Sequence, residues 1–181
     1  MRSWFALYVR SHHEKIVEAQ LVGKQQVVFL PMYSSRRKWA DRWKTISLPL
    51  FPGYVFCQFE PEQRSSVLAT SGVIDLVRAG AEPAPIASSE LEAIRRVAAS
   101  PLLVEPYANL VAGERVMMTG GPLNGLSGVI VEIRKSLRFV ISVELLQRSV
   151  LVEIDREWVA PYQPVKRAYS QLIGPHLRAA S

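Results

Sequence analysis

Cysteine occurs once in the 181 residues, so no disulfide can form within the chain, and the stability of the fold rests on apolar burial and backbone pairing. Histidine is almost as scarce. His12, His13 and His176 have no carboxylate pattern or second ligand at metal spacing around them, so the sequence predicts neither a metal site nor an enzyme. Cys57 follows Phe56 in an apolar stretch and reads as a small core residue rather than a nucleophile. Long apolar runs are missing too. The longest, such as Val27–Met32, have strand length, far below the ~20 residues that cross a bilayer, and residues 1–20 lack the apolar centre of a signal peptide. The expectation is a cytoplasmic protein with no membrane association. Its glycines are followed nowhere by Lys-Ser or Lys-Thr, and no G-x-G-x-x-G occurs, which excludes a phosphate-binding loop and a dinucleotide fingerprint; no cofactor is expected.

What is present is ordinary globular material, 49% hydrophobic and 21% charged, with 22 Lys+Arg against 16 Asp+Glu. The formal charge of +6 suggests an anionic partner, and its clustering is more telling than its size. Arg36, Arg37, Lys38, Arg42 and Lys44 fall within nine residues, opposed only by Asp41 and interleaved with Trp39 and Trp43. Cations for phosphate and indoles for stacking are the composition of a nucleic-acid contact; a solvated hairpin is the plainer alternative.

Periodicity places the elements. Residues 4–9 are apolar on both faces and predict a central strand. Ser11 with Glu14 has capping-box spacing ahead of a short helix over about 12–22 that Gly23 stops. Strands are predicted at 27–32, 53–59 and 73–77, with the basic segment 34–47 as a long hairpin. Pro61 opens one helix, and Ser89 with Glu92 opens another that Pro101 closes. The order β-α-β-β-β-α-β-α defines an α+β domain over 1–102, with a mostly antiparallel sheet flanked by helices. Residues 103–112 lose their period and read as a linker. Beyond them only strand alternation remains, which implies a small all-β barrel over 113–163 and a loose tail over 164–181.

Gly113-Glu-Arg-Val-Met-Met-Thr-Gly-Gly-Pro-Leu-Asn-Gly-Leu-Ser-Gly128-Val-Ile resembles the KOW motif of NusG-type transcription factors and of certain ribosomal proteins. Upstream, Trp4-Phe-Ala-Leu-Tyr8-Val-Arg10, Pro49-Leu-Phe-Pro-Gly-Tyr-Val-Phe56, Gly72-Val and Pro83-Ala-Pro-Ile86 follow in the order of the NGN domain. Together they cover roughly residues 4–162. The opening and the Pro-Leu-Phe-Pro stretch resemble specialised members such as RfaH. The β-branched residues Ile130, Val131, Val140, Ile141, Val143, Val150 and Val152 favour a barrel over the helical hairpin that some specialised members form.

The resemblance implies a monomeric elongation or antitermination factor. Its NGN domain would dock on the clamp helices of the largest subunit of bacterial RNA polymerase and suppress pausing or termination, while its KOW domain recruits a second factor. Tyr8, Phe51, Tyr54 and Phe56 match the family's docking positions, although Phe51 and Phe56 read nearly as well as core. Ser65 and Ser66 fall where RfaH-like members touch the polymerase again. Arg10, His12 and His13 sit where specialised members read a looped non-template strand, and the basic hairpin lies near upstream or non-template DNA. Leu145, Leu146 and Arg148 occupy the loop used toward Rho or a ribosomal protein, with Gln147 in place of the usual glycine. The competing class is a KOW-containing RNA-binding protein associated with ribosomes or RNA processing.

Overall fold

The computed structural model describes residues 1–39, 42–107, 113–133 and 136–162. The expected tail, 164–181, and half of the expected linker, 108–112, lie outside these residues. Strand β1 (Ser3–Val9) is central in a four-stranded antiparallel sheet of order β2-β5-β1-β6, with β2 (Val27–Phe29), β5 (Tyr54–Phe59) and β6 (Val73–Leu76). The β1–β5 register sets Leu7 opposite Val55 and Phe5 opposite Cys57, and on the other face Ala6 opposite Phe56 and Tyr8 opposite Tyr54. Alternation therefore sends two apolar sets in opposite directions, as the reading of a strand covered on both sides requires.

One set (Leu7, Val9, Val55, Cys57, Phe59) packs with Val17 and Leu21 of α1 (Glu14–Gly23) and Val67 of α2 (Arg64–Leu68). The other (Trp4, Ala6, Phe56) joins Leu91, Ile94 and Val97 of α3 (Ser88–Ala99). Arg95 lies against both Trp4 and Phe29, its guanidinium carbon 5.1 and 4.9 Å from the ring centroids, which ties α3 to two strands. Strands β3 (Met32–Trp39) and β4 (Arg42–Pro49) pair only with each other. A short hairpin of β7 (Arg78–Ala79) and β8 (Glu82–Pro83), unforeseen in the sequence, precedes α3.

Neither expected capping box forms. Helix α1 begins at Glu14, and the buried Glu14 carboxylate accepts the Gly53 N–H at 2.8 Å, because Gly53 sits at φ +84° in a turn whose amide has no strand partner. Helix α3 starts after Ala87 with no side-chain cap. A capping box does occur where the sequence reading had none, between Glu60 and Gln63 around the 3₁₀ turn Pro61–Gln63.

The second sheet has six antiparallel strands in the order β14-β10-β11-β12-β13-β9, comprising β9 (Val104–Tyr107), β10 (Glu114–Met118), β11 (Ser127–Ile133), β12 (Ser136–Val143), β13 (Arg148–Glu153) and β14 (Val159–Pro161). Strand β9 corrects the linker: Val104–Tyr107 pairs with Val152–Ser149 and belongs to the barrel. Pro106 is tolerated because β9 is an edge strand.

Gly128 is the tightest position in the KOW segment. A Cβ there would meet the Phe139 ring and the Val140 carbonyl at 2.6 Å. The close approach is thus to β12. Gly128→Ala is expected to destabilise the barrel by about 1–3 kcal/mol through overpacking, read by urea unfolding. Gly23→Ala, with open space around it, serves as the neutral control, and equal stability of the two variants would contradict the packing argument.

Candidate functional site

Tyr8 and Tyr54 are a direct cross-strand pair at the end of the β1–β5 ladder, their ring centroids 5.7 Å apart. Tyr8 is 46% exposed and Tyr54 half-buried. Phe51 and Phe56 lie beneath them at 2% and 0% exposure, edge to face at 5.7 Å, and present no surface. The four expected contact aromatics are therefore divided. The phenols, whose hydroxyls favour a wet rim, face outward; the two phenylalanines are core that supports them.

The turn between β4 and β5 is held from both sides. Val9 N–H donates to the Gly53 carbonyl at 2.9 Å while the Glu14 carboxylate takes the Gly53 N–H. On the other flank Tyr8 pairs with Asp75 of β6, a residue that sequence reasoning missed because only the β1–β6 pairing brings it there. The hydrogen bond from Arg78 and the Leu76 backbone N–H hold the Asp75 carboxyl below the usual range, so it is anionic at neutral pH. Tyr8, Pro52, Gly53, Tyr54 and Asp75 line a cleft of about 540 Å³, and Arg148 of the barrel forms part of its wall.

The barrel is seated on α3. Arg96 donates to the carbonyls of Asn124 and Pro122 in the KOW turn at 2.6 and 3.4 Å. Glu90 of α3 faces the same interface; burial and then the Glu144 charge raise its carboxyl pKa. Leu145 and Leu146 fall in a 3₁₀ turn (Glu144–Leu146). Leu145 is half-buried and Leu146 buried in the core, so Leu146 is not available as a partner contact. Gln147 adopts the left-handed φ of +53° that explains why glycine is usual there, and its side-chain amide donates to the Glu144 carbonyl at 2.8 Å.

The basic segment forms the β3–β4 ribbon as expected. Arg36, Lys38, Arg42, Trp43 and Lys44 are exposed, and the Arg36 guanidinium stands 5.3 Å from the Trp43 ring centroid. Arg37 is opposite Lys44 in the backbone register; its side chain lies outside the described residues. Arg10 and His12 are exposed in the β1–α1 connection, and the His13 ring pairs with the Ser11 carbonyl. Ser65 and Ser66 are exposed on α2, which packs on the face of the sheet opposite the tyrosines, so the structure does not bring them together with Tyr8 and Tyr54. The Ser66 carbonyl accepts from Lys24 at 2.8 Å.

Among the described residues no group of three or more His, Cys, Asp or Glu side chains is placed to hold a metal ion. None of their helices is long and apolar enough to cross a membrane.

The chain thus combines an α+β domain, carrying a paired-tyrosine cleft and a basic ribbon, with a KOW-type β domain. The family model described as transcription termination factor nusG matches residues 2–95, more than half of the chain. The chain belongs to the NusG family. It is 32% identical over 128 residues to the transcription termination/antitermination protein NusG of Deinococcus radiodurans, spanning 61% of this chain and 67% of that protein. It is 25% identical over 178 residues to the NusG of Borreliella burgdorferi, spanning 85% and 95%. A solved structure described as domain interaction in Thermotoga maritima NusG superposes with a TM-score of 0.56 over 90% of this chain and 98% of that one, at 22% identity, which supports the fold.

Cys57 is fully buried, and burial pushes its thiol pKa up to about 12. It is therefore a neutral thiol near neutral pH. Iodoacetamide at pH 8 is expected to leave Cys57 unmodified in the native chain and to alkylate it once denaturant is added; rapid native labelling would contradict the core assignment.

Proposed function

We propose that the chain binds bacterial RNA polymerase through the Tyr8–Tyr54 cleft, with the clamp helices of the largest subunit as the docking element. It would suppress pausing or termination in the cytoplasm while its barrel recruits Rho or a ribosomal protein through Leu145 and Arg148. The observation that carries this reading is the cross-strand pair of exposed Tyr8 and half-buried Tyr54, with Tyr54 packed against the buried cluster that holds Phe51 and Phe56. Rigid aromatics with few rotatable bonds lose little entropy on binding and are typical anchors of a protein interface. Catalysis stays with the polymerase. A factor that binds the elongating state better than the paused state shifts the population toward elongation, and needs no chemistry of its own. The ribbon cations Arg36, Arg37, Lys38, Arg42 and Lys44 would contact DNA beside the docked domain, with Arg10, His12 and His13 nearer the cleft.

The positive charge of the ribbon would also attract RNA phosphate, and this supports the second reading, a ribosome-associated protein. Capture of core RNA polymerase, of an excised clamp-helix fragment and of ribosomes on the immobilised chain separates the two. Tyr8→Ala combined with Tyr54→Ala is expected to weaken polymerase capture about 30-fold or more while the circular dichroism of the domain stays unchanged. Unchanged capture by the folded double variant, or binding to ribosomes alone, would overturn the docking assignment.

Arg148 forms a wall of the same cleft, so a helix entering it competes with the seated barrel. Loosening the seat should then favour docking, because a smaller share of molecules is closed. Arg96→Gln, which removes the hydrogen bonds to Asn124 and Pro122, is expected to raise polymerase affinity several-fold in the same assay; equal or weaker binding would count against competition.

A further inference from the structure

The β3–β4 ribbon is cationic on both faces. Its register sets Arg36 opposite Thr45 and Lys38 opposite Trp43, so Arg36, Lys38 and Trp43 share one face, as the 5.3 Å contact between Arg36 and Trp43 requires. Lys44 and Arg42 fall on the alternate positions and belong to the other face. A ribbon packed on its own domain would carry one apolar face. Here the distal half is exposed on both: Arg36, Lys38, Arg42, Lys44 and Trp43 are all solvent-facing, with Trp43 at 59%. At the base of the ribbon, Met32, Tyr33, Ser34 and Ser47 line a hollow together with Ser100–Val104. No acidic residue lies within the two strands.

Two cationic faces back to back match a partner with two anionic walls. A single strand has one backbone and would lie along one face, leaving the cations of the other unused. A duplex groove supplies phosphate on both sides. The major groove of B-form DNA is about 12 Å wide and admits a two-stranded ribbon. The deep, narrow major groove of an A-form duplex does not admit side chains in this way, which sets DNA apart from duplex RNA.

We propose that the distal half of the β3–β4 ribbon inserts into the major groove of duplex DNA, with Arg36 and Lys38 reaching one phosphate backbone and Arg42 and Lys44 the other. This rests on the reading of the ribbon as a nucleic-acid contact and deepens it. The stacked Arg36–Trp43 pair stiffens one face of the inserted ribbon.

The test is fluorescence anisotropy of the full chain with a labelled mixed-sequence duplex DNA, its single strand and the duplex RNA of the same sequence, across a salt series. Dimethyl sulfate protection then reads guanine N7, a major-groove atom. Duplex DNA should bind most tightly, with a log–log salt slope of about −3 to −4 for four phosphate contacts. Arg36→Gln/Lys38→Gln and Arg42→Gln/Lys44→Gln should each weaken binding about tenfold or more and reduce the slope by about two. Guanine N7 should be protected. All variants should keep the wild-type circular dichroism and polymerase capture. Equal or tighter binding of single strand or duplex RNA, an effect confined to one face, or unprotected N7 would overturn groove insertion while leaving a nucleic-acid contact in place. Absence of binding to all three probes would overturn both, and polymerase capture through Tyr8 and Tyr54 would still be read independently.

Discussion

The pairing of β1 with β5 is the constraint on which the rest of the structure depends. It places two strands side by side in one register and thereby commits every second residue to one face of the sheet. Leu7, Val9, Val55 and Cys57 are sent toward α1 and α2; Trp4, Ala6 and Phe56 are sent toward α3. A slip of one residue would exchange the two sets and turn Tyr8 and Tyr54 inward. The exposed tyrosines are the last pair of this ladder, where α3 no longer covers the sheet. The cleft is therefore a product of the core, and the turn at Gly53, held by Val9 and Glu14, keeps its rim in place.

The same sheet positions the barrel. Its inner face fixes α3, partly through Arg95 between Trp4 and Phe29, and α3 in turn presents Arg96 to the KOW turn. Gly121 and Gly125 take the positive φ that this turn needs, and Gly128 lets β11 lie close over Phe139 and Val140 of β12. Arg148 reaches the cleft from the barrel side. The tyrosine cleft and the loop that ends at Arg148 thus share a boundary.

Much of the fold was legible in the sequence because it rests on local periodicity. Residues 4–9 read as a central strand and are one; the β-branched alternation after residue 113 reads as the strands of a small β domain, and they pair in one six-stranded antiparallel sheet. What escaped depends on contacts distant in sequence. Glu14 has capping-box spacing with Ser11, yet a buried turn amide 39 residues away is the stronger claim on its carboxylate. Val104–Tyr107 carries Pro106 and shows no period, and only its pairing with β13 makes it a strand. Composition could not divide the aromatics either. Phe51 and Phe56 belong to the same Pro49–Phe56 motif as Tyr54, and the structure separates them by burial. Asp75 had no signal before β6 was placed beside β1.

These surfaces make the protein a set of contacts arranged around a rigid sheet. The tyrosine cleft, the ribbon and the barrel loop have distinct chemistries, apolar-aromatic, cationic and mixed, which suits simultaneous engagement of protein and nucleic acid. The central claim is that the end of the β1–β5 ladder is the polymerase-docking surface. Amide hydrogen exchange of the full chain with and without core RNA polymerase tests it most directly. Slowed exchange in the segments that hold Tyr8, Gly53, Tyr54 and Asp75 is the predicted result. Protection confined to other segments, with these unchanged, would contradict it.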